Sequence, residues 1–167
     1  MKIESFLLPE HGWVPNNPKL PVLLYRAAVP VADCEKTARA FEEAFERNGW
    51  PPQWRAGIYD YHHFHSTAHE TLGVAAGSAT LTIGGPGARQ IRVEAGDALV
   101  LPTGTGHRCV EANDDFLVVG AYPPGQDWDI CREAPSEEAC KRMADLSMPA
   151  ADPIAGIAGP LIKQWAA

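Results

Sequence analysis

GIYDYHHFHSTAHE, residues 57–70, is the stretch of sequence that decides the fold, and it holds four histidines and a glutamate. A second stretch, GDALVLPTGTGH at residues 96–107, ends in another histidine. Imidazole nitrogens and carboxylate oxygens are ligands that divalent transition metals accept. The interval between the two stretches is long enough for two strands and their turns. The pattern therefore predicts a metal site inside a β-sheet structure.

The two stretches offer four candidate metal ligands. Side chains alternate between the faces of a strand, so His63 and His65, on a strand predicted over residues 57–65, point to the same side. Glu70 opens the next predicted strand, and His107 comes from a later one. Strands lie about 4.8 Å apart and metal–ligand bonds are roughly 2.0–2.2 Å long, so ligands on neighbouring or facing strands can meet at one ion.

The fourth ligand has two candidates. His69 replaces Glu70 if the strand begins one residue earlier, because a slip of one residue reverses the facing of every side chain. Glu70 is favoured, since Leu72 and Val74 continue its face inward. His69 and His62 are also candidates for supporting the ligands or contacting substrate, with surface or packing roles as the alternative.

Further side chains are expected near this site. By alternation, Tyr61 and Tyr59 face the interior as core residues, and Tyr61 is also close enough to His63 to place its hydroxyl near a bound ligand. Cys109 lies two residues beyond His107 and shares its face, as a small core residue or as a thiol near the metal. Trp54 is a candidate for the pocket rim, together with its neighbour Arg55, whereas the aspartates at 127 and 129 are expected in solvent.

The sequence pattern of the rest of the chain is typical of an all-β protein with few helices. Short segments rich in Val, Ile, Thr and Leu alternate with turn residues, which favours an antiparallel sandwich or barrel. Strands are expected near 57–65, 70–76, 79–84, 89–94, 97–101, 107–112 and 115–122.

One helix, capped by Asp33 and running from Cys34 to Asn48, is expected to cover a sheet. A short C-terminal helix is expected from Ser136 through Ala144. The proline-rich segment before Asp33 is interpreted as an extended arm with one short strand at Val22–Tyr25, in an edge position.

Composition excludes several classes of function. The 167 residues carry a net charge of −7, and no basic patch is visible, so no nucleic-acid partner is expected. No segment is apolar enough to serve as a signal peptide or to cross a membrane, so we expect a cytoplasmic protein without membrane contact. The four cysteines are widely spaced and are expected to be free thiols.

The spacing of these residues resembles the two motifs of the cupin superfamily. The first motif, G-x5-H-x-H-x4-E-x6-G, runs here from Gly57 to Gly77, and the second, G-x5-P-x-G-x2-H, runs from Gly96 to His107. The family pattern ends in an Asn where this chain has Glu111, a position that is not a usual ligand. The segments LPVLLY (20–25), YHHFHSTAHE (61–70) and YPPGQ (122–126) are similar to those of the YjlB-like bacterial cupins, a group without an assigned reaction.

The resemblance implies a double-stranded β-helix, or jelly-roll barrel, with one divalent transition metal held by His63, His65, Glu70 and His107. Fe, Mn, Ni and Zn all accept this set. We expect one cupin domain over residues 1–167, with an arm and helix (1–55), a core barrel (56–122) and a C-terminal wrap (123–167). A homodimer is implied by the resemblance.

Two functions follow as hypotheses. The first is a metal-dependent dioxygenase or isomerase that acts on a small oxygenated organic molecule. The second is a non-catalytic module that binds a small ligand, in which the metal orients that ligand or stabilises the barrel.

Overall fold

The computed structural model describes residues 1–166, which form nine strands and three helices. The strands are β1 (Lys2–Phe6), β2 (Val22–Arg26), β3 (Pro52–Ala56), β4 (Glu70–Ala76), β5 (Ser78–Ile83), β6 (Arg89–Glu94), β7 (Ala98–Leu101), β8 (His107–Ala112) and β9 (Leu117–Ala121). The helices are α1 (Cys34–Arg47), α2 (Glu137–Ala144) and α3 (Pro160–Gln164).

The strands form two antiparallel sheets that face each other. The larger has six strands in the order β1-β2-β7-β4-β9-β3, and the smaller has three in the order β6-β5-β8. Neighbouring strands are often distant in sequence, which is the crossed connectivity of a jelly roll. The all-β jelly-roll prediction is confirmed.

The central strands of the six-stranded sheet, β2, β7, β4 and β9, are buried on both faces, whereas its edge strands β1 and β3 are largely exposed. Alternate residues of its strands, such as Leu24, Leu72 and Leu99, join an apolar cluster with Leu81 and Ile83 of the smaller sheet. The intervening residues point the other way, into a second cluster beneath α1 and the C-terminal segment. The first cluster lies inside the barrel, and Glu70 shares the strand face of Leu72, so its carboxylate points into the barrel as well.

Helix α1 covers the outside of this sheet, as expected. The Asp33 side chain caps it by accepting from the Lys36 backbone N–H at 2.9 Å. Phe41 and Phe45 are fully buried against the sheet. Gly73 of β4 makes this contact close, because a Cβ at that position would lie 2.5 Å from the Phe41 ring. α2 likewise begins after a capping residue, Ser136.

In the first half of the chain two sequence expectations need correction, and two strands appear that were not predicted. The strand predicted over 57–65 is wrong: β3 ends at Ala56, and beyond it His63 and Phe64 make only isolated bridges, to His107 and Cys131. The strand at Val22 is not at an edge, since β2 pairs on both sides, with β1 and β7. Pro21 precedes the strand, so no proline interrupts its hydrogen bonding. β1 and β3 were not anticipated.

The C-terminal segment closes over the α1 side of the molecule. Trp165 is buried, and its indole donates to the Pro21 carbonyl at 2.9 Å. The fully buried Asp152 accepts from the Tyr25 hydroxyl and from the backbone N–H groups of Ile154, Ala155 and Leu161. Across residues 1–166, each helix is too short or too polar to traverse a lipid bilayer.

Candidate metal centre

Three histidines meet inside the barrel. His63, His65 and His107 are all buried, and each offers a ring nitrogen within 4.8 Å of those of the other two. Paired backbone hydrogen bonds between His63 and His107, at 3.2 and 2.9 Å, hold their segments together. The loop before His107 is also fixed, because Gly104 N–H and the Thr103 hydroxyl both donate to the His65 carbonyl.

Each of the three rings is oriented by a backbone carbonyl. Nδ1 of His63 lies 3.0 Å from the Tyr61 carbonyl oxygen, and Nδ1 of His107 lies 3.0 Å from that of Thr105. Nδ1 of His65 is bonded to the Asp129 carbonyl. A carbonyl only accepts, so each Nδ1 carries the proton and each Nε2 is left with a lone pair when the ring is neutral. This is how ligating histidines are usually oriented.

Glu70 lies against two of these rings. Its carboxylate oxygens are 3.2 Å from His65 Nε2 and 3.3 Å from His107 Nε2. Neither His65 Nε2 nor Glu70 Oε1 has a hydrogen-bond partner of adequate geometry within residues 1–166, although both are buried. Buried polar atoms without partners are costly. A cation would satisfy both atoms, so the donor set fits a divalent transition metal.

The charges of the cluster are strongly coupled. Burial alone raises the pKa of Glu70, but His65 and His107 outweigh it and hold that pKa well below its usual range. Burial lowers the pKa of His65, yet the adjacent Glu70 carboxylate brings it to a net increase. Burial, helped by His107, lowers the pKa of His63 to about 3. The carboxylate is therefore ionised and His63 neutral near pH 7, which are the forms that bind a cation, whereas at His65 a cation has to compete with a proton.

The cluster opens into a cavity of about 290 Å³. The other residues that line this cavity are aromatic or apolar: Trp54, Ala56, Gly57, Ile58, Tyr59, Leu72, Tyr122 and Trp128. Tyr59 is 51% exposed and Trp128 38% exposed, whereas the histidines are buried. The two exposed aromatics thus mark the mouth and the histidines the inner end. Trp54 lies close over β9, because Gly120 leaves room where a Cβ would meet the indole at 2.2 Å.

His69 lies away from this cluster. Its Nδ1 accepts from the Thr103 N–H at 3.0 Å, and its ring lies 4.9 Å from that of Trp165. It faces the α1 side of the sheet, as alternation from Glu70 requires. The geometry brings Glu70, and not His69, to the three histidines.

The remaining candidates contact the site indirectly or not at all. The Tyr61 carbonyl accepts the hydrogen bond from His63. The Tyr61 ring stacks on that of Tyr59, with 4.8 Å between the ring centroids, and the Arg132 guanidinium lies 3.8 Å from the centre of the Tyr61 ring. His62 is not part of the cavity lining. Cys109 lies in the apolar cluster between the sheets, where burial raises the pKa of its thiol.

Two expectations about neighbouring side chains are wrong. Tyr59 is half-exposed at the cavity mouth and does not belong to the core, because residues 57–62 are not a strand and alternation does not hold there. Arg55 does not rim the pocket but pairs with Glu35 and Glu42 of α1.

Three contributors to the site were not anticipated. Tyr122 donates to Glu70 Oε2 at 2.7 Å and accepts from the Trp54 indole at 2.8 Å. Trp128 stacks on Tyr122, with centroids 4.4 Å apart. Asp129 is not solvated: its carboxylate accepts from the Ser66 N–H at 2.7 Å and from the Ser66 hydroxyl. The inward position of Tyr122 could have been predicted from the sequence, because Tyr122 alternates with Val118 and Gly120 on the strand face that points into the barrel. No sequence pattern indicates the positions of Trp128 and Asp129, because both residues lie in a loop.

Comparison with known proteins agrees with this architecture. A family model described as the cupin domain matches residues 51–119. The uncharacterized protein YjlB of Bacillus subtilis (strain 168) is 35% identical over 164 residues, which cover 97% of this chain and 96% of YjlB.

Solved structures overlap only in part. A duf861 family protein from Thermotoga maritima is 18% identical, covers 59% of this chain and 96% of its own, and has a TM-score of 0.35. Streptomyces albus HEPD, solved with 2-hydroxyethylphosphonate and Fe(II) bound, is 11% identical, covers 80% of this chain and 22% of its own, and has a TM-score of 0.30. The identity and coverage of YjlB are sufficient to assign the family: this chain belongs to the YjlB-like cupins.

Proposed function

We propose that the protein holds one divalent transition metal at His63, His65, Glu70 and His107 and is an oxygenase or isomerase for a small oxygenated organic molecule. The convergence of three buried imidazoles, with Glu70 beside two of them, carries the proposal. The partnerless atoms of His65 and Glu70 support it, because a cation supplies what both lack.

The cavity supports a site that receives a ligand. Structural metal sites are closed by protein ligands, whereas catalytic sites keep a position open. Here the ligand cluster lines a cavity of about 290 Å³ whose mouth is formed by exposed aromatics. A small molecule entering this cavity reaches the inner end where the four side chains meet.

The protein groups of the cavity favour an oxygenase over an isomerase. A bound metal of this class supplies Lewis acidity, or dioxygen binding when it is ferrous iron. Among the described lining residues, the titratable groups outside the ligand set are Tyr59 and Tyr122. The Tyr122 hydroxyl is already engaged, and burial followed by Glu70 raises its pKa, so it holds its proton. An isomerase needs a base beside the substrate carbon, and only Tyr59 or water remains for that role.

The test begins with the metal. Elemental analysis of protein purified without added metal should find about one equivalent of Fe, Mn, Ni or Zn. His65→Ala should lose it, whereas the control His62→Ala, a neighbouring histidine outside the cluster, should keep it. Oxygen uptake and isomerisation are then measured over a panel of small oxygenated molecules. Equal metal content or equal turnover in His65→Ala would contradict the proposal.

A second candidate function is a non-catalytic small-ligand module in which the metal is structural or orients the ligand. The observation in its favour is that the ligands come from separate segments, with His63 and His65 on one, Glu70 on β4 and His107 on β8, and that each imidazole is tied to a different backbone carbonyl. A cation would cross-link these segments. This version predicts a large fall in melting temperature on chelation and no turnover with any redox-active metal.

Assembly and location belong to the proposal as well. A homodimer is supported by β1, an edge strand with free backbone groups and exposed apolar neighbours such as Leu7. Light scattering on the purified protein should give twice the 18.1 kDa chain mass. A cytoplasmic location is proposed from the sequence and is tested by cell fractionation.

A further inference from the structure

The walls of the cavity indicate what kind of molecule the site accepts. Four aromatic side chains line it, namely Trp54, Tyr59, Tyr122 and Trp128. Two of them, Tyr122 and Trp128, are stacked at 4.4 Å with an interplanar angle of 8°. Tyr59 belongs to a second stack, with Tyr61, at 4.8 Å and 18°. Aromatic rings prefer such offset-parallel contacts, so a further flat ring extends a stack that is already built.

Apart from a metal at the four ligands, the cavity offers no cation to an acidic substrate. Among the described residues that line it there is neither lysine nor arginine, and the one charged side chain outside the histidines is Glu70. Arg55, which follows the lining residue Trp54 in sequence, pairs with two glutamates of α1, and Arg132 lies over the Tyr61 ring. An anionic group placed against the aromatic walls, away from the metal ligands, would lose its hydration without an opposite charge, which is costly.

The cavity also offers few hydrogen bonds to a polyhydroxylated molecule. The Trp54 indole N–H donates to the Tyr122 hydroxyl, which in turn donates to Glu70. A sugar-like substrate would therefore bury several hydroxyls without partners. The volume of about 290 Å³ corresponds to about ten water molecules at ~30 Å³ each, which suits a molecule of one or two rings.

We propose that the substrate is a flat aromatic compound of one or two rings that carries an oxygen substituent and has no charged group on the part that faces the aromatic walls. This inference rests on the proposed function for the role of the oxygen, which turns toward the metal ligands. The ring lies against Trp128 at the mouth, where that side chain is partly free. The aromatic walls set the preference for the ring independently of the metal.

Binding of three matched probes tests this preference. The probes are 2-naphthol, its saturated counterpart decahydro-2-naphthol, and the anionic 6-hydroxy-2-naphthalenesulfonate. Calorimetric titration is carried out on the full chain in a metal-free and a Zn(II)-loaded form. 2-Naphthol is expected to bind about fivefold more tightly than either competitor in both forms. Equal affinities for the aromatic and saturated probes, or tighter binding of the sulfonate, would overturn the inference.

Variants of Trp128 locate the contact. Trp128→Leu keeps an apolar side chain but removes the ring face, and should weaken 2-naphthol binding about fivefold, whereas Trp128→Phe should stay within about twofold. Ile130→Ala, at an exposed residue of the same segment outside the cavity lining, is the control and should not change binding. An unchanged affinity in Trp128→Leu would contradict the proposed contact.

The two proposals fail in different ways. Zn(II) affinity is measured separately by competition with a chromophoric chelator. If Zn(II) does not bind while 2-naphthol remains the preferred probe, the metal proposal fails and the aromatic preference stands. If Zn(II) binds at the four side chains without any preference for the aromatic probe, the substrate inference fails alone.

Discussion

At the scale of single residues, the hydroxyl of Tyr122 is the protein's main control over Glu70. It donates to Glu70 Oε2, and the Trp54 indole donates to it in turn. The carboxylate is thereby held in one orientation inside the barrel, with its other oxygen facing His107. A ligand restrained in this way binds a metal with less loss of conformational freedom.

Tyr122→Phe should therefore weaken metal binding about tenfold while the ring packing is retained. The matched control is Tyr25→Phe, which removes the hydroxyl of another buried tyrosine hydrogen-bonded to a carboxylate, that of Asp152. The control should lower the free energy of unfolding by about 1 kcal/mol and leave metal affinity unchanged. Chelator competition measures the affinity, and equal losses in both variants would contradict a specific role for Tyr122.

His69 should make stability depend on pH. Burial lowers the pKa of His69 to about 4 from an ordinary value of 6.5. Its Nδ1 lone pair is already occupied by the Thr103 N–H, so a second ring proton breaks this bond. As pH falls below about 6.5, the unfolded chain binds this proton before the folded protein does, which favours unfolding.

The free energy of unfolding of the metal-free protein should lose about 3 kcal/mol from this residue between about pH 7 and pH 4. His69→Asn keeps an acceptor near Thr103 but does not titrate, so its pH profile should be flatter by that amount. Urea titrations of both proteins across this range give the difference. Parallel profiles would show that His69 does not titrate as described.

At the scale of elements, the loop between β9 and α2 fixes one wall of the metal centre. The Asp129 carbonyl bonds to His65 Nδ1, while its carboxylate bonds to the backbone N–H and hydroxyl of Ser66. Arg142 of α2 also donates to the Ser66 hydroxyl, at 2.9 Å. Through these contacts a segment distant in sequence sets the orientation of His65.

Asp129→Ala should weaken metal binding about tenfold, because the carbonyl remains but is no longer held in place. The control Asp127→Ala removes an exposed carboxylate from the same loop and should leave the affinity unchanged. Metal affinity and the free energy of unfolding are measured for both variants. A loss of stability in Asp129→Ala without a loss of affinity would assign Asp129 a structural role only.

At the scale of the whole molecule, the C-terminal segment is joined to the barrel through Asp152. Its buried carboxylate collects one hydroxyl and three backbone N–H groups. Trp50 and Trp165 add bonds between this segment and the first half of the chain. These contacts support the proposal that the chain is one folding unit.

Asp152→Ala should lower the free energy of unfolding by about 3 kcal/mol or more, because it leaves buried donors without an acceptor. Asp145→Ala, at an exposed carboxylate in the same half of the chain, should stay within about 0.5 kcal/mol. For the parent protein, denaturation followed by circular dichroism and by tryptophan fluorescence should give coincident single transitions. Two separated transitions would contradict the single unit.

The sequence was a good guide wherever local pattern decides structure. The strands after Glu70 alternate faces against a buried core, and they lie within two residues of the predicted bounds. α1 carries its own cap and apolar stripe. The predictions were wrong or missing where pairing with a neighbouring strand decides the structure. β1 and β3 are short edge strands that the sequence did not indicate. Residues 57–62 alternate like a strand but have no continuous neighbouring strand to pair with.

The same distinction applies to the site. Motif spacing was sufficient to single out His63, His65, Glu70 and His107, which the structure places around one point. Their assignment as metal ligands stays a prediction. The contacts of Asp129 and Trp128 could not be read from spacing, because a loop of irregular backbone brings them back to the barrel mouth.

The carbonyl anchors of the three imidazoles have a consequence for how this protein can diverge. A peptide oxygen is present whatever residue occupies the position, so replacing the side chains of Tyr61 or Thr105 does not delete the acceptor that their neighbours need. Evolutionary drift, or a mutagenesis library, can therefore replace the side chains around the centre while the imidazole nitrogens keep their orientation. New substrate specificities can therefore evolve at this site without a change in the four candidate metal ligands.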